Sequence, residues 1–424
     1  MRHRLGSGLR AVALAAASAA LAASAVARAS DLPPWWEESE VPIAPRVASA
    51  TVLRREQPIV SGPDVAARRR GTAAQGARLP VFGMRRGPGC TGRFVQVGAL
   101  AWVCEDAVAL GDAPPVAPGP AWALEAPNGL PFRYYFVGRD GSAGYRSLRD
   151  AEQSAPDLEL QPGFALAIVE VQTKDGAPYG RTHHGLWVPM RDLGPVQPWT
   201  FHGEEIADGR LAFGWVVEDK VPVFTRPDAG ARGKGVRARF ERIEVLETSP
   251  KGFVRVADGA WLRARDVRVP KAAPPPDELR AGERWLDIDL ATQTLVALEG
   301  SRPVFATLVS TGKGAEGTEL ATPRGTHRIW VKLESANMDN LEDENAERFY
   351  AIEDVPYVMF FAKGVGLHGE FWHRGLGHVR SHGCVNLAPL DAERLFGFVG
   401  PRLPAGWTAV LPTDVEPGTI VRVR

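Results

Sequence analysis

Histidine and cysteine are concentrated in one short stretch of this sequence. The segment LHGEFWHRGLGHVRSHGCVNL contains four of the nine histidines and one of the three cysteines of the chain: His368, His373, His378, His382 and Cys384. These side chains support several kinds of chemistry: a zinc site, half of a disulfide, a nucleophile with a basic partner, or a buried thiol without a reaction to perform. The rest of the sequence helps to distinguish among them.

A zinc site is the weaker of the two chemical interpretations. The spacing His-x4-His-x4-His-x3-His can be drawn as a ligand set, but it matches no compact metal signature. Gly375, Gly377 and Gly383 would also interrupt a helix that could bring such ligands to one face. We therefore predict no metal in this stretch.

A nucleophilic cysteine explains more of the residues. A free thiol has a pKa of about 8.5, so attack at neutral pH requires a nearby base or positive charge. Gly383 allows the backbone to turn its N–H groups toward a developing oxyanion. A helix that begins near residue 389 would add positive potential. The sequence favours Cys384 as a nucleophile over a structural thiol.

Two histidines compete for the role of its base. His382 lies two residues before Cys384, so in an extended segment both side chains would point to the same face. In a tight glycine turn, residues two positions apart need not point to the same face. His368 lies in a separate predicted strand and is followed by Gly369, which allows the ring to be directed across the sheet at the sulfur. We therefore favour His368.

The N-terminus predicts export. A positively charged start precedes the apolar run AVALAAASAALAASAVA (11–27), and small residues around Ala29 suit a cleavage site. The run is alanine-rich and shorter than the about 20 residues that a spanning helix needs, which favours a cleaved signal peptide over 1–29 rather than a membrane anchor. We expect a periplasmic or cell-wall-associated protein.

Export changes what three cysteines imply. In an oxidising compartment an odd count leaves one thiol over. Cys90 and Cys104 lie close together in a strand–turn–strand pattern, so they are the candidate disulfide, and a bridge over so short a loop contributes about 3 kcal/mol. Cys384 is then the free thiol.

Chain length and net charge limit the number of domains and the functional classes that are open to this protein. A chain of 424 residues exceeds one ordinary core, so several domains are expected. Lysine plus arginine and aspartate plus glutamate both total 50, which gives no basic excess and argues against nucleic-acid binding.

Several predicted segments precede the C-terminal region that contains the cysteine. A charged, proline-containing stretch predicts a flexible tether over 30–76. Phrases such as FVQVGALAWVCEDAV (94–108) and FVRVADGAWLRARDV (253–267) form a weak internal repeat of short strands, and HHGLWVPMRDL (183–193) keeps the same Gly–Trp–Asp order. The predicted segments are a unit over 77–112, a β-rich region over 121–200, a second unit over 201–270 and a proline-rich linker over 271–281.

The segment 282–412 is predicted to be a separate domain, followed by a C-terminal strand or tail over 413–424. RWLDIDLATQTLVALEG (284–300) and PVFATLVSTGK (303–313) predict a hairpin that turns at Glu299-Gly300. The convincing helix pattern is APLDAERLFGFV (388–399), directly behind the cysteine.

The C-terminal motif resembles a known family. His368-Gly369, followed by the run Ser381-His382-Gly383-Cys384-Val385-Asn386, is similar to the signature of the L,D-transpeptidase family, the YkuD-type catalytic domain. LDIDLATQTLVALEGSRPVFATLVSTGK and TPRGTHRI resemble the opening strands of that domain, so the likeness covers about residues 283–412. The upstream phrases resemble bacterial SH3-like domains. The resemblance implies a mainly β protein, with a β-sandwich catalytic domain of one or two helices preceded by small SH3-like β-barrel units.

The resemblance also implies roles for individual residues. Cys384 would be the nucleophile and His368 its proton donor and acceptor, with a supporting role for His382. The remaining implied substrate-binding or oxyanion positions are Gly383, Ser381, Gly369, Asn386 and Tyr357. Family members carry Asn or Arg at the position of Asn386, which leaves the subgroup open.

The implied activity is peptidoglycan L,D-transpeptidation without a cofactor, by a monomer that acts on stem peptides at the cell-wall surface. A cysteine thioester would form 3→3 cross-links or attach another amine acceptor. Two alternatives stay open: an L,D-carboxypeptidase on the same site, and a non-catalytic cell-wall-binding protein. A long acidic insertion over 334–355 is either a solvated loop or a lid over the groove.

Overall fold

The computed structural model describes residues 39–117, 129–197, 199–257, 259–342 and 349–424, and within them the chain is mainly β. The predicted signal peptide lies outside these residues. The described helices include none that is long and apolar enough to cross a bilayer.

The first region, residues 39–117, is a set of short antiparallel strands. They are β1 Ser49–Val52, β2 Gln57–Val60, β3 Arg69–Ala73, β4 Arg78–Pro80, β5 Gly83–Arg85, β6 Phe94–Gly98, β7 Ala101–Cys104 and β8 Val108–Gly111. Strand β1 lies between β4 and β8, with Ala50 opposite both Leu79 and Leu110. Cys90 and Cys104 form a disulfide, and Cys384 is a free thiol.

The structure differs from the flexible tether predicted over 30–76, because the described part of that segment contains β1, β2 and β3. The arginine run that suggested disorder leads into β3. Arg70 is buried, and its guanidinium donates to the Glu416 carboxylate at 2.9 Å and to the carbonyl of Leu411. Gly71 allows β3 to approach the later strand Trp407–Val410, since a Cβ there would lie 2.4 Å from the carbonyl oxygen of Ala409.

The second region, residues 129–197, is β-rich as predicted. Its elements are β9 Arg133–Val137, β10 Ser142–Gly144, the short helix α1 Leu148–Glu152, β11 Leu158–Leu160, β12 Ala165–Lys174, β13 Ala177–Thr182, β14 Trp187–Pro189 and β15 Leu193–Pro195. Strand β12 pairs with β9 and β13 and also meets the C-terminal region, where Ala165 lies opposite Ile352.

The third region, residues 201–270, forms a seven-stranded sheet with its own apolar core. The strands of the region are β16 Glu204–Glu205, β17 Phe213–Val216, β18 Val221–Phe224, β19 Gly233–Arg237, β20 Arg242–Ser249, β21 Phe253–Val256, β22 Trp261–Arg263 and β23 Val267–Arg268. Strands β17 to β23 build the sheet, and Val216, Ile243 and Leu262 are among its buried residues.

The internal repeat has a structural counterpart. Each of the three closing phrases folds as a strand, a 3₁₀ turn and a second strand. The turns are Glu105–Ala107 after β7, Met190–Asp192 after β14 and Ala264–Asp266 after β22. The assignment of these units as SH3-like stays a prediction.

The C-terminal region contains two sheets and one longer helix. Its elements are β24 Arg284–Asp289, β25 Thr294–Glu299, β26 Arg302–Leu308, β27 Gly325–Arg328, β28 Val331–Asp339, β29 Ala351–Ala362, β30 Val365–Gly369, β31 Val385–Leu387, α2 Pro389–Phe398, β32 Trp407–Val410 and β33 Ile420–Val423. One sheet has the order β16-β26-β25-β24-β33-β27, and the other contains β28 to β32.

One element of this region differs from the sequence prediction. The segment 284–300 is not one strand but the pair β24 and β25, because Asp289 Oδ1 accepts the N–H groups of Ala291 and Thr292 and closes a turn there. The segment 413–424, predicted to be a C-terminal strand or tail, contains the strand β33, which pairs in parallel with β24 and places Ile420 beside Trp285.

Helix α2 is fixed at both ends directly behind β31. Pro389 begins it, which suits the first helical position, where no intrahelical N–H bond is lost. Asp391 in the first turn is buried and accepts the Gly203 N–H at 2.8 Å. At the other end the Lys332 ammonium donates to the carbonyl oxygens of Phe396 at 2.6 Å and Val399 at 2.9 Å. The helix therefore provides a rigid support for the strand that follows the cysteine.

Candidate active site

Cys384 lies at the end of a tight turn that leads into β31. Gly383 has a φ of 128°, a conformation that side chains rarely adopt. Its carbonyl accepts the Thr322 hydroxyl at 2.7 Å, and its N–H donates to Ser381 Oγ at 3.1 Å. The Ser381 hydroxyl in turn donates to the carbonyl of Cys384. These hydrogen bonds hold the turn in place. The Gly383 N–H was predicted to face the oxyanion, but in this conformation it braces the loop instead.

His368 reaches the same place from the adjacent strand. Strand β30 runs parallel to β31, with His368 beside Asn386 and Leu367 beside Val385. Residues opposite each other on neighbouring strands share a face, and so do residues two apart on one strand. His368 and Cys384 are therefore directed into one cleft, which both of them line.

The contacts of His368 favour one tautomer. Its Nδ1 lies 3.1 Å from the carbonyl oxygen of Gly369, an acceptor only, so Nδ1 carries the proton when the ring is neutral. The ring stacks on Trp372 with centroids 5.6 Å apart. The second nitrogen, Nε2, is then an acceptor, as a general base requires.

Burial keeps both reacting groups neutral at rest. His368 is 1% exposed, and burial lowers its pKa to about 4. Burial raises the pKa of the Cys384 thiol, against a smaller opposing effect of a hydrogen bond from the Gly366 backbone. The pair at neutral pH is a thiol beside a neutral imidazole rather than a preformed ion pair.

His382 occupies a different position at the mouth of the cleft. It is exposed, its Nε2 lies 3.2 Å from the Lys313 ammonium, and its ring stacks on Tyr350 with centroids 5.7 Å apart. Burial and the charge of Lys313 lower the pKa of His382. These contacts suit a wall residue rather than the base.

His373 is a supporting residue of the cleft. Its Nε2 lies 3.0 Å from the side-chain amide of Asn386, the neighbour of His368 across the two strands. Its Nδ1 accepts the N–H of Gly375 at 3.1 Å and lies 3.3 Å from the buried carboxyl of Glu370. Burial raises the pKa of Glu370 well above its ordinary value.

The cleft has a volume of about 1200 Å³. Besides the motif residues, its walls include Asn337 and Tyr350 from the β28–β29 hairpin and Phe136 and Gly163 from the second region. Lys313 and Arg380 add positive charge. The acidic insertion is thus largely a hairpin whose described arms line the cleft.

Three other residues, Tyr357, Gly369 and His378, make packing or polar contacts outside the motif turn. Tyr357 packs on Phe396 of helix α2, with ring centroids 5.7 Å apart, so the structure does not bring it to the cleft. Gly369 permits close packing of β30, since a Cβ there would lie 3.0 Å from Pro356 Cγ. His378 contacts the carbonyl oxygen of Val217 at 3.4 Å.

Sequence reasoning did not identify Lys313, Tyr350 or Phe136 as cleft residues. They come from three different segments, and only the β pairing of the whole molecule brings them together. The signal that was available was the strand prediction for PVFATLVSTGK, which ends at Lys313.

Comparison with known proteins identifies the C-terminal region. The family model YkuD, described as the L,D-transpeptidase catalytic domain, matches residues 283–423. The catalytic domain of the E. faecium L,D-transpeptidase is 26% identical and aligns over 34% of this chain and 98% of its own, with a TM-score of 0.26. The L,D-transpeptidase from Stackebrandtia nassauensis is 26% identical over 36% of this chain and 58% of its own, with a TM-score of 0.23. The aligned part thus spans little more than half of that second protein. No curated protein matches the chain.

Proposed function

Residues 283–423 are a YkuD-type L,D-transpeptidase catalytic domain, and from this premise we propose that the protein is a peptidoglycan L,D-transpeptidase that works through a thioester on Cys384. One observation carries the proposal. Parallel strands β30 and β31 direct a buried imidazole and the chain's free cysteine into one cleft.

The first half-reaction forms the thioester. His368 Nε2 accepts the thiol proton as the sulfur attacks the carbonyl carbon of the third stem residue, at its L-centre. The oxyanion is stabilised by backbone N–H groups of the turn before β31 other than that of Gly383, which already donates to Ser381 Oγ. When the tetrahedral intermediate collapses, the C–N bond breaks, His368 returns the proton to the nitrogen, and the terminal D-residue leaves as an amine.

The second half-reaction releases the acyl group. An amine from another stem loses its proton to His368 and attacks the thioester, which forms a 3→3 peptide bond and restores the Cys384 thiol. The bond energy is conserved in the thioester, so no nucleotide is required. Lys313 and Arg380 on the cleft wall suit the carboxylates that stem peptides carry.

The cellular setting is also part of the proposal. A signal peptide over 1–29 would place the chain in the periplasm or at the cell wall as a monomer, and the upstream units would be SH3-like modules that contact the wall. The disulfide between Cys90 and Cys104 suits an oxidising compartment.

The test is the reaction of purified protein with tetrapeptide muropeptides. We expect an acyl-enzyme mass on Cys384 that has lost the terminal D-residue, and then 3→3 dimers. Cys384→Ala should give neither, while His378→Ala, which changes a histidine held by the third region, should give both. Release of tripeptide without dimer would identify a carboxypeptidase instead. Absence of both products and of the acyl-enzyme would overturn the proposal.

A further inference from the structure

Two histidines and an aspartate meet away from the catalytic cysteine. His183 and His184 lie in the turn between β13 and β14, and Asp354 lies in β29. Asp354 Oδ2 is 3.0 Å from His183 Nδ1 and 3.2 Å from His184 Nε2. One ligand atom from each of the three residues can be chosen so that all lie within 4.8 Å of one another. The sequence alone does not indicate this group, because its two histidines and its aspartate are about 170 positions apart.

The histidine turn and Asp354 are held by bonds that do not use the converging atoms. The His183 N–H donates to the Ala167 carbonyl at 2.8 Å, which fixes the histidine turn to β12. The Asp354 N–H donates to Asn337 Oδ1 at 3.0 Å, and its carbonyl accepts the Tyr134 hydroxyl at 2.5 Å. The other carboxylate oxygen, Oδ1, accepts the Ser335 hydroxyl at 2.9 Å. Supporting bonds of this kind orient the ligands of protein metal sites.

The spacing of the atoms suits a metal as well as it suits hydrogen bonds. Zinc bonds to nitrogen and oxygen are about 2.0–2.1 Å long, so tetrahedral geometry separates neighbouring ligand atoms by about 3.3 Å. The two nitrogen–oxygen distances of 3.0 and 3.2 Å are close to this value. The two imidazole nitrogens lie within 4.8 Å of each other, so a metal at the centre of the group would have to bring them no more than about 1.5 Å closer to reach the same value.

We propose that His183, His184 and Asp354 bind a divalent transition metal of the zinc class. Two imidazoles and one carboxylate are ligands that this class accepts. The Asp354 side chain is 6% exposed, while those of His183 and His184 are 35% and 43% exposed. Solvent therefore reaches the nitrogen side of the group, where water completes the coordination.

The position of the site defines its role. The histidines belong to the region before the catalytic domain, and Asp354 belongs to the hairpin that lines the cleft. Asn337, which binds the Asp354 backbone, is itself a cleft residue. The metal stabilises the contact between the two regions and so holds the cleft wall. It takes no part in the chemistry at Cys384.

The test is metal binding by the full exported chain without an affinity tag. After treatment with a chelator, the protein is titrated with Zn²⁺ by calorimetry and with Co²⁺ by visible absorption, both in the natural chain and in Cys384→Ser. We expect one equivalent bound in both, with a higher Tm in Zn²⁺. Loss of a supporting residue weakens metal sites by about 10- to 100-fold, so loss of a ligand in His184→Ala should weaken binding by at least about 100-fold.

Two controls separate binding from folding. His378→Ala removes a histidine that also has a carboxylate nearby, Glu218 at 3.4 Å, and it should keep full affinity. Asp354→Asn also removes a ligand and should weaken binding, but it alters a buried group. If Asp354→Asn fails to fold, His184→Ala decides the result, because it changes an exposed ring. Absence of saturable binding to the natural chain would overturn the proposal. So would binding that His184→Ala retains and Cys384→Ser loses.

Discussion

Replacing His368 with Ala should slow acylation of Cys384 by about 10²- to 10⁴-fold near neutral pH, the contribution typical of a general base. The structure supports this magnitude. A thiol with the ordinary pKa of about 8.5 is only about 3% thiolate at pH 7, and burial raises the pKa of Cys384. Without a base, attack has to proceed through that minor form.

The pH profile tests the same reasoning in the wild type. Burial lowers the pKa of His368 to about 4, so the ring is a neutral base above that pH and is protonated below it. The acylation rate should be constant between about pH 5 and 8 and fall only as pH drops through about 4, without an inflection near the ordinary histidine value of 6.5. His368→Ala should instead gain rate with each pH unit, because its rate follows the thiolate fraction.

The assay is the acyl-enzyme mass as a function of time with a carbapenem or a tetrapeptide stem. His382→Ala is the matched control. Its ring contacts Lys313 and Tyr350 rather than the base, so loss of these two exposed contacts should cost less than about tenfold. The assignment is reversed if His368→Ala acylates at nearly the wild-type rate and His382→Ala does not. A wild-type inflection near 6.5 would refute the buried neutral pair.

Three further predictions follow from other parts of the molecule. Thiol labelling of native protein, read by peptide mass, should modify Cys384 and leave Cys90 unlabelled until a reductant is added; quantitative labelling of Cys90 without reductant would exclude the bridge. Lys332→Met should lower the free energy of unfolding by about 2–4 kcal/mol in a urea titration, because two buried carbonyls at the end of α2 lose their donor, and a change under about 0.5 kcal/mol would contradict this. Tyr350→Ala should raise KM for stem peptides by about two- to tenfold through loss of its stack on His382, and an unchanged KM would argue against the hairpin as a substrate wall.

The sequence was sufficient for the parts of the site that one short segment encodes. His368 and Cys384 were predicted to meet, and the structure directs both into one cleft, because the strand patterns on either side of the glycine-rich turn were already readable. Helix α2 was predicted over 388–399 and is observed over Pro389–Phe398, since proline and aspartate at its start are local signals.

Features that depend on distant pairing could not be predicted in this way. The flexible tether was expected because arginines are usually solvated, yet Arg70 has a buried partner in Glu416, some 340 residues later. Tyr357 was assigned to the site on the family resemblance. Its φ of 58° and its contact with Phe396 place it against the helix instead. No local pattern reports either contact.

The upstream region is part of the site rather than an independent attachment. Strand β12 pairs with β29 at Ala165 and Ile352, so the second region continues the sheet that carries the catalytic hairpin. Phe136 and Gly163 of that region line the cleft. A catalytic domain cut at residue 282 would lose this wall and expose one edge of β29, and unpaired edges favour aggregation. The motif around Cys384 thus supplies one part of the cleft, and residues of the region before it, Phe136 and Gly163, complete its wall.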